Sequence, residues 1–212
     1  MPCYSPRLDT LYHARLCAKS DAAVGGAEAA SIAGRLATAR GKDVPTSSGA
    51  SFAAAPPGTI VYTNDGGYFA VVAVDDMLVT MVNAAGAIEH RFGLFLTTSI
   101  ERDLDARAAE RIWPIAVGKE TALVLSRDSQ SWRITLKVLR TENVTLAAGT
   151  LQTYVVERHD LGMGSNYYEG IRTYWYAPSI GAIVKFDYTH KAGTRPQDLA
   201  PWEAIRIVRP SA

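Results

Sequence analysis

A chain of 212 residues holds one domain with a full core or two small ones, and its 48% hydrophobic and 20% charged content is that of an ordinary globular protein. A formal net charge of +1 excludes the broad positive field on which nucleic-acid or anionic-lipid binding depends. No apolar run approaches the roughly 18 to 20 residues of a spanning helix, so no membrane span is expected in this chain.

Residues 1–56 are expected to form a flexible Ala/Gly/Ser-rich segment, partly helical or disordered. Ile32 and Leu36 recur at helical spacing within residues 28–40, but the face they would bury is mostly alanine. Both cysteines, Cys3 and Cys17, fall in this segment and leave the body thiol-free. They lack the His or Cys partners of a zinc site and read as incidental thiols. The body's composition fits an extracytoplasmic protein. Residues 1–19 carry Arg7, Asp9, Arg15 and Lys19 without a continuous apolar stretch, so no signal peptide is expected, and Arg15 spoils a lipobox at Cys17.

Residues 57–97 are expected to form a small antiparallel meander. Residues 59–63 and 68–74 are rich in β-branched and aromatic side chains, and Asn64, Asp65, Gly66 and Gly67 between them tolerate the positive φ of a hairpin turn. Asp75-Asp76 then leads into a strand over 77–83, and Ala84-Ala85-Gly86 into one over 87–95. Residues 98–112, dense in charge from Glu101 to Arg111, are expected to be a solvated connector.

A larger antiparallel β-region is expected over 113–212. Trp132, Ile134, Leu136 and Val138 alternate with Arg133, Thr135, Lys137 and Leu139, the pattern of a half-buried strand. Residues 151–158 and 171–176 flank a Gly162-Met163-Gly164-Ser165-Asn166 turn, and a third strand follows Pro178 and Gly181. Val184, Phe186 and Tyr188 repeat the alternation, and residues 204–208 form a last strand. The fold class is mainly β: an antiparallel meander plus a curved sheet or sandwich.

No catalytic motif emerges, and the chain reads as a non-enzyme with no cofactor. Gly162 to Ser165 lacks the following helix that a phosphate loop requires, and Ser165 has no G-x-S-x-G frame. Glu157, His159 and His190 would make a metal site or a general-base pair only if they converged; a salt-linked strand edge is the plainer expectation, and no metal is assigned. The densest aromatic run, Tyr174, Trp175 and Tyr176, is the candidate ligand-binding group, although alternation sends Trp175 to the face opposite its two neighbours.

The words V-Y-T-N-D-G-G, V-T-M-V-N-A-A-G, I-W-P-I-A-V-G-K, A-G-T-L-Q-T-Y-V-V-E and T-Y-W-Y-A-P-S-I-G-A-I-V-K resemble those of a group of uncharacterised proteobacterial envelope proteins, over roughly residues 58–188. The resemblance implies a β-rich fold in the periplasm or cell envelope and carries no activity; members usually bear a signal peptide or lipobox, from which this sequence departs. The expected role is a non-catalytic extracytoplasmic interaction or accessory protein with a protein partner or envelope assembly. The alternative is a carrier of a lipid or other apolar small molecule on a concave sheet, and a metal-dependent or hydrolytic enzyme comes third.

Overall fold

The computed structural model describes residues 49–98, 108–127, 130–165, 167–194, 196 and 199–210. The helix expected over 28–40, both cysteines and most of the charged connector lie outside these residues.

Eleven strands form one antiparallel sheet that does not close on itself. They are β1 Ile60–Thr63, β2 Tyr68–Asp75, β3 Leu78–Asn83, β4 Ile88–Phe92, β5 Leu96–Thr98, β6 Glu120–Arg127, β7 Gln130–Leu146, β8 Gly149–Met163, β9 Tyr168–Ala177, β10 Ala182–Gly193 and β11 Trp202–Val208. The spatial order is β5-β4-β3-β2-β1-β11-β10-β9-β8-β7-β6. Two up-and-down meanders, β1 to β5 and β6 to β11, are therefore joined edge to edge by the pairing of β1 with β11. The β10–β11 ladder comprises only Lys185↔Glu203 and Phe186↔Trp202, so β11, which carries the N-terminal meander, is held to the rest of the C-terminal ribbon by a thin seam.

The hairpins follow from the turn residues. At the β1–β2 turn Gly66 adopts φ 83°, and Asp65 Oδ1 accepts from the Thr63 hydroxyl at 2.5 Å and from the Gly67 amide at 3.0 Å. The strand expected over 87–95 instead stops at Phe92. Gly93 and Leu94 take φ of 53° and 70°, which reverses the chain into β5. A β-carbon on Gly93 would lie 2.9 Å from Trp113 Nε1, so that turn also depends on glycine for space.

The alternation of β7 is realised: Ile134, Leu136 and Val138 are buried while Arg133 and Lys137 are exposed, until a bulge between Val138 and Arg140 shifts the register. In the centre of the sheet the period-two pattern disappears. Residues Thr153 to Val156 and Tyr174 to Ala177 are buried without interruption, so both faces of β8 and β9 are covered there.

One hydrophobic core runs through both meanders, from Val61, Val71 and Val79 to Ile134, Val156 and Phe186. A short 3-10 turn, Ala108–Ile112, packs on β6 and β7 and delivers Trp113 into the middle. Trp113 stacks on Phe95 at 5.8 Å, meets Tyr176 edge-on at 5.2 Å and Phe52 at 5.1 Å. Residues 50–55 cross this cluster: Ala50 pairs with Ile115, the Ala55 amide donates to the Gly181 carbonyl at 2.7 Å, and the Tyr176 hydroxyl donates to the Ala53 carbonyl at 2.8 Å.

Candidate functional site

The site arises where an apolar face turns charged. On β8 the inward face carries Tyr154 and Val156 and then, two residues apart each time, Arg158 and Asp160. Register places Val156 opposite Tyr174, Arg158 opposite Arg172 and Asp160 opposite Gly170 on β9, and these face Phe186, Tyr188 and His190 on β10. Each strand thus contributes aromatic residues toward the core and polar residues toward the far end of the same face.

Arg158 and Asp160 are 7% and 2% exposed, and charges so deeply buried must be paired. Arg158 Nε donates to Asp160 Oδ1 at 2.7 Å and its Nη1 donates to the Phe95 carbonyl at 3.1 Å. The Arg172 guanidinium pairs with the second oxygen of Asp160, so one carboxylate is clasped between two arginines. Burial lowers the pKa of Arg158 from its ordinary value, and the neighbouring phenols of Tyr174 and Tyr168 work in the opposite sense.

Above this triad lies a cleft of about 790 Å³, walled on one side by Phe69, Glu89 and Arg91 of the N-terminal meander and on the other by Trp132, Tyr174 and Phe186 of the C-terminal ribbon. That volume suits a small molecule or a short chain segment. An aromatic wall runs through it: Phe69 to Trp202 at 5.2 Å, Trp202 to Phe186 at 6.2 Å, Phe186 to Tyr174 at 5.4 Å and Tyr174 to Phe95 at 5.7 Å. Arg91 lies over the Phe69 ring at 5.5 Å while its Nη2 donates to Glu89 at 2.9 Å. At the rim Tyr167 is 80% exposed. The charged lining balances: Arg91, Arg158 and Arg172 stand against Asp65, Glu89 and Asp160.

Of the three aromatic residues singled out in the sequence, Tyr174 lines this cleft. Tyr176, on the same face, is fully buried against Trp113 and Ala53; burial first of all pushes its phenol up to about 12. Trp175 is on the opposite face, buried beneath the Lys185 ammonium 5.0 Å from its ring, and its indole Nε1 has no hydrogen-bond partner among the described residues. Glu157, His159 and His190 do not converge. His159 pairs with Glu169 at 3.0 Å on the outer face, level with Ile171 and Thr189, whereas His190 is level with Gly170 on the inner one. Among the described residues no group of three His, Cys, Asp or Glu side chains is placed to hold a metal ion.

The sequence reading missed Arg158, Asp160, Arg172, Trp132 and Trp202 as a group. A signal was present: Arg158 and Asp160 continue the buried face of Tyr154 and Val156 at period two, and a charge that prolongs an apolar face marks a buried polar site.

No protein-family model and no curated protein matches this sequence. Solved structures similar to it include the following three. The hypothetical lipoprotein YmcC from Escherichia coli is 13% identical with a TM-score of 0.45, over 74% of this chain and 86% of its own. An exported protein with a YmcC-like fold from Bacteroides fragilis is 15% identical with a TM-score of 0.36, over 76% and 100%. A lipoprotein from Parabacteroides distasonis is 13% identical with a TM-score of 0.40, over 76% and 100%. The first of these comes from a proteobacterium, as the sequence resemblance implied, and the other two from Bacteroidetes, so the likeness is not strictly proteobacterial, and one this loose assigns no role.

Proposed function

We propose that this chain is a non-catalytic extracytoplasmic accessory protein that works by binding, and that the cleft between its two meanders is the binding site. The observation that carries this reading is the combination of an aromatic wall with a charge-balanced lining in one cavity of about 790 Å³. Aromatic faces release free energy by covering a flat apolar surface, and the arginine–carboxylate groups around them provide directional polar contacts. With three arginines against three carboxylates, the lining selects for neither sign of charge. An uncharged ligand with a flat apolar face and polar edges fits better than a fully apolar lipid, which would cover charged groups without pairing them. Restriction of cysteine to Cys3 and Cys17 accords with life in an oxidising compartment, where a thiol-free body avoids wrong disulfides.

The test is an amide and indole NMR titration of the full chain with fatty acids, neutral glycans and short peptides as separate classes. Shifts centred on Trp132, Trp202 and Tyr168 are expected with a neutral amphipathic class. Absence of saturable shifts there with every class would overturn the cleft as a binding site. Fractionation of the native cells tests the compartment, and recovery with cytoplasmic markers would overturn it.

A further inference from the structure

At one end of the cleft three side chains and a carbonyl form an unbroken hydrogen-bonded relay. The hydroxyls of Tyr168 and Tyr188 are 3.1 Å apart, the Tyr188 hydroxyl is 3.3 Å from His190 Nδ1, and His190 Nε2 is 3.0 Å from the Gly193 carbonyl oxygen. Gly170 makes room for it. A β-carbon there would stand 2.6 Å from the Tyr168 oxygen and 2.9 Å from the Tyr188 oxygen, so the two phenols meet over a glycine.

The direction of every bond follows from the one group that cannot donate. A carbonyl only accepts, so His190 Nε2 carries hydrogen; in a neutral imidazole Nδ1 is then bare and accepts from Tyr188. A phenol has a single hydrogen. Tyr188 has given its own to His190, so the bond between the two tyrosines is donated by Tyr168. Of the two phenols only Tyr168 lines the cleft, and it therefore presents lone pairs to a ligand and no hydrogen.

We propose that Tyr168 is a specificity-determining residue of the cleft, held as a pure hydrogen-bond acceptor by Tyr188, His190 and Gly193, so that the site favours ligands bearing an O–H or N–H group over isosteres that lack one. This deepens the binding reading above and rests on it. A second proton on His190 reverses the relay. Nδ1 then donates to Tyr188, Tyr188 to Tyr168, and the Tyr168 hydrogen is released toward the cleft. The groups around the imidazole are Tyr168 and Gly170 on β9, Tyr188 and Lys191 on its own strand, and, in line beyond Gly170, Asp160 held by Arg158 and Arg172.

Indole and 1-methylindole test this, because both are flat, neutral and apolar and differ in one N–H. Burial of the extra methyl alone would make 1-methylindole the tighter ligand. At about pH 8, where an ordinary imidazole is neutral, indole is expected to bind about 2- to 10-fold more tightly to the full-length protein, the worth of one hydrogen bond. In Tyr168→Phe that preference is expected to vanish while both still bind. Long-range nitrogen–proton NMR reads the relay directly and without ligand: hydrogen on His190 Nε2 is expected in the wild type, with the Nδ1 shift moving in Tyr188→Phe. A bare Nε2 would overturn the relay. Equal binding of the two indoles, or a preference unchanged in Tyr168→Phe, would overturn the role of Tyr168 and leave the cleft standing; failure of both indoles to shift the cleft signals would overturn this proposal together with the site.

Discussion

Arg158 Nη1 donates to the main-chain carbonyl of Phe95, 63 residues away in sequence, at 3.1 Å. The donor belongs to the long C-terminal ribbon and the acceptor to the β4–β5 turn of the N-terminal meander. This bond, the Phe95 to Tyr174 ring contact at 5.7 Å and the β1–β11 ladder are what hold the two walls of the cleft in one geometry. A charge-assisted bond to a buried carbonyl is an expensive tie to leave unmade, which makes the polar floor a structural clasp.

Asp160→Asn is expected to destabilise the fold strongly. The substitution leaves Arg158 and Arg172 buried against a neutral amide, and breaking one member of a buried ion cluster costs about 3–5 kcal/mol. For a chain of this size that lowers the melting temperature by roughly 10 °C. Calorimetry decides it, and an unchanged melting temperature would show the clasp to be energetically idle.

Gly181→Ala is expected to detach residues 50–55. Gly181 sits at φ 75°, and a β-carbon there would lie 2.6 Å from both the Ala54 carbonyl carbon and the Ala55 amide nitrogen. Main chain cannot swing aside as a side-chain tip can, and the left-handed backbone adds strain of roughly 1–2 kcal/mol. Faster cleavage within 50–56 by a nonspecific protease, at unchanged cleavage elsewhere, is the expected outcome.

Gly170→Ala is expected to spare the core and part the two phenols of the relay. The clash falls on the tips of Tyr168 and Tyr188, which can rotate away, so the loss of stability is modest, about 1–2 kcal/mol. The measurable consequence is a change in the Tyr168 and Tyr188 ring signals while the Trp113 and Tyr176 signals stay in place.

Raising the pH is expected to unfold the protein over the interval in which buried phenols ionise. The phenol of Tyr176 titrates near 10 when unfolded and is pushed up to about 12 in the fold by burial, and that of Tyr168 is also raised, by burial first and then by its bond to Tyr188. A raised folded pKa means the stabilising contribution is full below the unfolded value and is lost as the pH climbs from about 10 toward 12, up to roughly 3 kcal/mol for Tyr176. Ultraviolet absorbance of tyrosinate and far-ultraviolet circular dichroism, followed together, should show ionisation of Tyr176 coinciding with loss of sheet. In Tyr176→Phe this component of the alkaline transition is expected to disappear, along with about 1 kcal/mol from the unmade bond to Ala53.

Much of the strand pattern was legible because its causes are local. Asn64 to Gly67 specify a hairpin by turn chemistry alone, and the alternation from Trp132 to Val138 reports a strand with one covered face. The reversal at Gly93-Leu94 was not legible: Leu94 is an apolar residue in a left-handed conformation, and only the Trp113 ring beside Gly93 gives that turn its reason. The aromatic run was legible as a sheet element. Its partition, Tyr174 to the cleft, Tyr176 to the core and Trp175 to the opposite face, follows alternation, but how far each is covered depends on Lys185, Trp113 and residues 50–55 arriving from elsewhere in the chain.

By itself the sequence determined the antiparallel β class, most of the strands and the absence of a recognisable catalytic motif, because turn residues and period-two faces act over a few neighbours. Only the tertiary structure decided that the two meanders join through β1 and β11 and that Phe69, Trp132, Arg158, Asp160, Arg172 and Trp202 surround one space. Those residues come from five strands, and no pattern of short period can encode a meeting that depends on how far the sheet curls and on which strand ends return to the same place.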